Sequence, residues 1–433
     1  MSIELHQQWN LAVNRHGVVG RRSFLRGFTA AAMATGSLNW VERMAVEAAR
    51  LRQQNRACIL LWMQGGPSQF ETFSPKPHHA NGGETRAIST AVPGIEIAEN
   101  LPETAQVMDD VCIIRSVNSK EGSHQRASFL LHTGYLPSAS VKYPTLGSLV
   151  SHQLSDSAAE LPSFVRIGAR GRGGGNGGFL GVAYDPFIMR SADRPPRNVQ
   201  IPTGPGRYQR RLKLLNRLEQ TYAEAEGRQD VADHKDLYQR TAKMITSPSM
   251  EVFDLDKENI KIRDAYGNSG FGSGCLLARR LVESGVTFVE VAINGWDTHQ
   301  DNFTNHREMC ESVDGPYAQL IRDLKQRDLL DTTLVIWMGE FGRTPRINGR
   351  GGRDHYPKAF NVALAGGGVH GGQVIGSTNV AGTNVSERPV SVPDLFRTFC
   401  SSLNIDPDHE NMSAIGRPIP IADEGEVVHE VFG

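Results

Sequence analysis

The 433-residue chain is 39% hydrophobic and 21% charged, a globular balance with room for one large α/β core and its insertions. Its 46 Lys and Arg against 47 Asp and Glu give a formal charge of -1, which excludes a global field drawing nucleic acid or an anionic membrane. The five cysteines, Cys58, Cys112, Cys275, Cys310 and Cys400, are odd in number and without CxxC spacing. That excludes a zinc-thiolate or dithiol redox site and leaves a single disulfide open.

The chain begins with an address. Gly20-Arg21-Arg22-Ser23-Phe24-Leu25-Arg26 and the small-residue run 27–34 form a twin-arginine pattern, which predicts a signal and leader over residues 1–50 and a periplasmic or secreted protein handled by the twin-arginine export machinery. No later run reaches the ~20 apolar residues that span a bilayer. The domain proper is expected over 51–433. Strand-like runs follow at 57–63, 111–117, 164–168, 286–293, 333–338 and 361–365. Helical patterns at 273–284 and 314–328 feed the fourth and fifth of these, and such alternation predicts a mostly parallel sheet with helices on both faces. The glycine-rich stretch 169–181 reads as a connection, since it lacks the Lys-Ser/Thr end of a phosphate-binding loop. The charged stretch at about 207–250, with Leu212, Leu215 and Leu218 at heptad-like spacing, predicts a helical insertion.

Chemistry concentrates in the last third. Trp296-Asp297-Thr298-His299, Gly352-Arg353-Asp354-His355 and Val369-His370-Gly371-Gly372 bring two aspartates and three histidines, the donors that hold Zn²⁺ or Mn²⁺ while leaving a position for water or substrate. Two of the three clusters follow strand-like runs, and the carboxyl ends of parallel strands converge on one crevice. His124 and His132, eight residues apart near one helical face, are read as acid/base or substrate residues, with packing and capping as the competing roles. Arg126, Arg343 and Arg353 offer forked donors to phosphate or sulfate oxygens.

Gln64-Gly65-Gly66-Pro67-Ser68-Gln69, Leu131-His132-Thr133-Gly134-Tyr135, Trp296-Asp297-Thr298-His299, Gly339-Glu340-Phe341-Gly342-Arg343-Thr344-Pro345 and Gly352-Arg353-Asp354-His355 resemble the bacterial "domain of unknown function 1501" proteins, grouped with the alkaline phosphatase-like and sulfatase superfamily. The resemblance runs from about Ala57 into the C-terminal region. It implies a three-layer α/β/α sandwich with one or two divalent metals (Zn, Mn or Ca) at the carboxyl edge of the sheet, and hydrolysis of phosphate or sulfate esters of small molecules or polysaccharides. On this pattern Asp297 and His299 are a metal pair, and His370 is the late histidine of a Gly-x-His-Gly signature. Glu340 stands where relatives have the aspartate of Asp-His-Gly; Phe341 follows it, so that position supplies one ligand at most, and Asp354-His355 stands in for the missing histidine.

The pattern also departs from the superfamily. Gln64 replaces the usual first-strand aspartate, Glu71 keeps a carboxylate in the segment that follows and Ser74 loses one. In such enzymes a Ser, Thr or formylglycine attacks the ester. Ser68, after the Gly-Gly-Pro turn, is the leading nucleophile, with capping of the next segment as its competing role, and Thr72 is second. No Cys or Ser is followed by x-Pro-x-Arg, which excludes conventional formylglycine chemistry. The expected function is an exported metal-dependent ester hydrolase. Its alternative is a non-catalytic periplasmic binding or structural protein on the same fold.

Overall fold

The computed structural model describes residues 56–156, 159–168, 175–196 and 229–433, with scattered positions between 199 and 217. The twin-arginine segment, residues 169–174 of the glycine-rich stretch and most of 207–228 lie outside the described residues. Eight strands make one sheet: β1 (Ala57–Gln64), β2 (Val111–Val117), β3 (Phe164–Ile167), β4 (Phe187–Met189), β5 (Phe288–Asn294), β6 (Thr333–Met338), β7 (Phe360–Ala365) and β8 (Gln373–Ile375). Their order is β8-β2-β7-β6-β1-β5-β3-β4. All six apolar runs became strands of this sheet; the two others, β4 and β8, are three-residue edge strands too short to show periodicity.

Central β1 is buried on both sides, which is why it reads as a continuous apolar run. Ala57, Ile59, Leu61 and Met63 enter one core, and Cys58, Leu60 and Trp62 enter the other, the period-2 alternation of a strand. Five helices matter here: α1 (His124–Thr133), α2 (Leu146–Leu154), α3 (Gly270–Glu283), α4 (Asn302–Gln326) and α5 (Val392–Ser402). The first core is closed by α3 and α4 through Cys275, Leu277, Leu281, Val313, Tyr317 and Ile321. The second is closed by α1, α2 and α5 through Leu131, Leu149, Val150, Leu395 and Phe399. The result is the expected three-layer α/β/α sandwich. Each fully buried aliphatic side chain contributes roughly 1.5–3 kcal/mol. All five cysteines are buried and unpaired. Among the described residues no helix is long and apolar enough to cross a membrane.

One strand runs against the rest. β1 pairs in parallel with β5 and β6, β3 with β5 and β4, and β8 with β2, whereas β7 is antiparallel to both β2 and β6. The loop after β7 therefore leaves at the edge where the other strands begin. The Cβ positions of Gly366 and Gly371 confirm this, approaching Thr333 O at the start of β6 and Asp109 O just before β2.

Helix α4 starts twelve residues before its expected beginning at Asp314. Pro316 lies inside it and has no N–H for the carbonyl one turn back; Ser269 Oγ donates to that carbonyl, Ser312 O, at 3.3 Å.

Candidate metal centre

Four parallel strands deliver the site from their carboxyl ends. The turn after β1 carries Gly65 and Gly66, the segment after β5 carries Asp297 and His299, the long loop after β6 carries Glu340, Arg343, Asp354 and His355, and the connection after β2 ends in α1 with His124 on its first turn. The loops interlock closely. Gly65 has φ 116°, and a Cβ there would stand 2.5 Å from Asp297 N, so only glycine lets the β1 turn run beneath the aspartate.

Three imidazoles surround the Asp297 carboxylate. His124 Nε2 lies 3.2 Å from Asp297 Oδ2, while His299 Nε2 and His355 Nε2 lie 3.1 and 3.2 Å from Oδ1 and 3.0 Å from each other. Donor atoms of His124, Asp297 and His355 all fall within 4.8 Å of one another. The other nitrogen of each ring is committed: His124 Nδ1 to Glu340 Oε1 at 2.7 Å, His299 Nδ1 to Asp354 Oδ1 at 2.8 Å and His355 Nδ1 to Gly122 O at 2.9 Å. A carbonyl or carboxylate only accepts, so each Nδ1 carries a proton and each ring turns its Nε2 toward Asp297. His124 Nε2 is buried without a hydrogen-bond partner. Three Nε2 atoms this close to one carboxylate and to each other need a shared proton or a cation among them.

The residues fit a cation. Donors about 2.0–2.1 Å from one ion, at angles of about 90–110°, lie about 2.9–3.4 Å apart, which covers the three Nε2 contacts to Asp297 and the contact between His299 and His355. Nδ1–H anchoring by carboxylate or carbonyl is the usual outer support of metal-bound histidine.

Electrostatics keep the aspartate ready. Burial pushes the Asp297 carboxyl up, but the hydrogen bond and charge of Arg343 and the charge of His124 outweigh it and hold the pKa at about 2. Arg343, fully buried, donates to Asp297 Oδ1 at 2.7 Å, Gly66 O at 2.8 Å, Arg353 O at 3.2 Å and Gly65 O. The Glu340 hydrogen bond raises the pKa of His124 against the opposing effect of burial. Burial lowers that of His355. Phe341, 1% exposed, lies 4.9 Å from the His124 ring and 4.6 Å from that of His355. It floors the cluster where a histidine was missed in the sequence pattern.

Of the expected ligands, Asp297, His299 and His355 are brought together, and His124, expected as an acid/base or substrate residue, lies against the same carboxylate. Glu340 and Asp354 stand one step out, each orienting a histidine. Arg343 positions Asp297 and has four of its five donors on protein oxygens. The others lie elsewhere. His370 hydrogen-bonds through its N–H to Val431 O at the opposite edge of the sheet, because β7 runs backwards; this corrects its expected place among the ligands. Glu71 and Arg353, both fully buried, pair with each other at 2.8 Å, which corrects the ligand role of the first and the anion-binding role of the second. Arg126 forms a two-pronged pair with Glu121.

His132 is 3% exposed, donates from Nδ1 to Ser128 O at 2.7 Å and packs with its ring centroid 4.1 Å from that of Trp62, tilted by 55°. Eight residues carry it about 12 Å down α1 and 80° round to the sheet side, so the competing packing role is the one observed. Ser68 is also fully buried. Its N–H donates to His306 Nε2 at 2.8 Å, and its hydroxyl accepts from Phe70 N–H at 3.3 Å, a local cap rather than an open nucleophile. Thr72, 1% exposed, donates to Ser68 O. His306 escaped sequence reading because the first half of α4 is polar; burial lowers its pKa to about 4, so it stays neutral and accepts from Ser68.

A family described as "Protein of unknown function (DUF1501)" matches residues 55–432. The chain belongs to that family. No curated protein matches it. Among solved structures, a sulfatase from Pseudoalteromonas sp. is similar at 14% identity and TM-score 0.40, covering 84% of this chain and 71% of its own. The lipoteichoic acid synthase LtaP from Listeria monocytogenes is similar at 9% and 0.37, covering 81% and 72%. The phosphonate monoester hydrolase of Agrobacterium radiobacter is similar at 10% and 0.33, covering 87% and 77%.

Proposed function

We propose that this DUF1501 chain is an exported, divalent-metal-dependent hydrolase of phosphate or sulfate esters. The observation that carries the reading is the convergence of three Nε2 atoms on an ionised Asp297, with each Nδ1 held by a carboxylate or carbonyl acceptor. Asp297, His124, His355 and His299 would hold the ion. Three imidazoles and one carboxylate suit Zn²⁺ or Mn²⁺ better than Ca²⁺, which takes oxygen donors. A bound ion of this kind supplies Lewis-acid polarisation of an ester oxygen and activation of water.

The chain's own groups do the rest. One carboxylate and three neutral rings leave the loaded cluster positive, which attracts an anionic ester. Arg343 keeps Asp297 ionised, Glu340 and Asp354 keep two rings in the binding tautomer, and Phe341 closes the floor to water. His124 opens α1, whose first-turn N–H groups have no intrahelical partner and suit an anionic oxygen. Water, not Ser68, is the fitting attacker, since the Ser68 hydroxyl is fully buried.

The test is elemental analysis of the purified chain, then assay of aryl phosphates, phosphodiesters and aryl sulfates after chelation and reloading with Zn²⁺ or Mn²⁺. About one equivalent of metal and turnover lost in Asp297→Asn is the expected result. Metal bound without turnover on any ester would move the reading to a binding protein, and a folded chain that takes up no metal would end it. Export rests on Arg21-Arg22; changing both to Lys should retain the protein inside the cell, and undiminished export of that variant would reject the route.

A further inference from the structure

Behind the metal centre, Arg353 joins three loops at a single residue. Its N–H donates to Thr298 O at 3.0 Å, between Asp297 and His299, and its carbonyl accepts from Arg343 Nη1 at 3.2 Å. Its guanidinium donates to Pro345 O at 2.6 Å and Thr344 O at 3.1 Å within its own loop. Across to the segment after β1 it donates to Glu71 Oε1 at 2.8 Å and Asn81 O at 2.7 Å. The rings of Phe70 and Phe303 lie 4.5 and 5.6 Å from it. The next two residues are Asp354, which orients His299, and His355, one of the converging donors. Gly352, immediately before, runs so close to the β5 loop that a Cβ would overlap His299 O.

Glu71 and Arg353 are both 0% exposed. Desolvating two such charges costs about as much as their attraction returns, and well-packed apolar residues of similar volume are often as stabilising or more so. Arg353 Nε even lacks a hydrogen-bond partner. Net stability is thus a weak reason for the pair. What apolar side chains cannot reproduce is direction: four of the five donors of a planar fork, fixed against one carboxylate and three carbonyls, set the position of the chain two residues before His355 and beside Asp297.

Resting on the metal reading above, we infer that Glu71 and Arg353 are positioning residues that set the metal affinity of the cluster without touching the ion. Glu71 holds the guanidinium, the guanidinium holds the 344–353 loop, and the loop holds Asp354 and His355 at the distances that make the Nε2 atoms converge.

The experiment measures Zn²⁺ affinity by chelator competition, and melting temperature in excess chelator, on the full-length wild type, Arg353→Lys, Glu71→Gln and the double variant Glu71→Leu/Arg353→Met. Arg353→Lys and Glu71→Gln should bind Zn²⁺ about 10–100-fold more weakly, the range seen when outer supports of metal ligands are removed. The double variant should recover the metal-free melting temperature while its Zn²⁺ affinity stays low, a split that a merely structural role would not give. Affinity within about twofold of wild type in Arg353→Lys or in the double variant, with only the melting temperature changed, would overturn the inference. A wild type that binds no Zn²⁺ is a separate result, removing the metal centre and the inference with it.

Discussion

The two edges of the central sheet hold similar residues and behave differently. At the carboxyl edge, His124, His299 and His355 each have one nitrogen fixed by an acceptor and the other turned toward Asp297. At the opposite edge, exposed His370 sits in an equally glycine-rich loop, held by its backbone to Val431, with no carboxylate paired to its ring among the described residues. Histidine type and a glycine neighbourhood do not distinguish these places. Strand direction does, since parallel β1, β2, β5 and β6 send their loops to one side and antiparallel β7 sends its loop to the other.

The sharpest way to break this comparison is to truncate one histidine from each edge. His355→Ala should weaken Zn²⁺ binding by about 100-fold or more, exceeding the loss of an outer support. His370→Ala should leave the affinity within about twofold and the stability within about 0.5 kcal/mol, as for an ordinary surface change. Isothermal titration of both variants is the check, and equal losses would dissolve the distinction between the edges.

A comparable effect, read in stability instead of affinity, sharpens the contrast between the open rings and the buried one beside them. The His306 pKa is depressed from 6.5 to about 4 by burial, so between those values the unfolded chain binds the extra proton and the folded chain does not. The stability is complete above about pH 6.5 and falls as pH drops toward 4, by about 3 kcal/mol for a shift of that size. Urea unfolding across this window should show the slope, and His306→Gln, whose side chain can still accept from Ser68 N–H, should flatten it. An unchanged slope in that variant would place the titration on another group.

Much of the architecture was legible because strand cores are local in sequence. The runs at 57–63 and 333–338 are apolar on both sides, and that alone marks strands buried between two layers. Helix α4 is legible only from Asp314 onward because 302–311 is polar and carries no apolar period. Ser269 supplies the donor that Pro316 lacks, a contact 43 residues away that no local window contains.

The site divides the same way. Asp297, His299 and His355 announced themselves by residue type and by position after strands. Their separation from Glu71, Ser68 and His132 depended on burial. Glu71 finds Arg353 across 282 residues, His132 turns to the sheet side of α1, and Ser68 meets His306 from the unread half of α4.

What the sequence alone determined is the set of layers and the chemistry on offer, because apolar period and donor type are properties of neighbouring residues. Which donors meet was decided by tertiary structure. The direction of β7, the pairing of Arg353 with Glu71 and the pinning of each Nδ1 depend on groups far apart in the chain. Their energies exist only once water has been removed from between them.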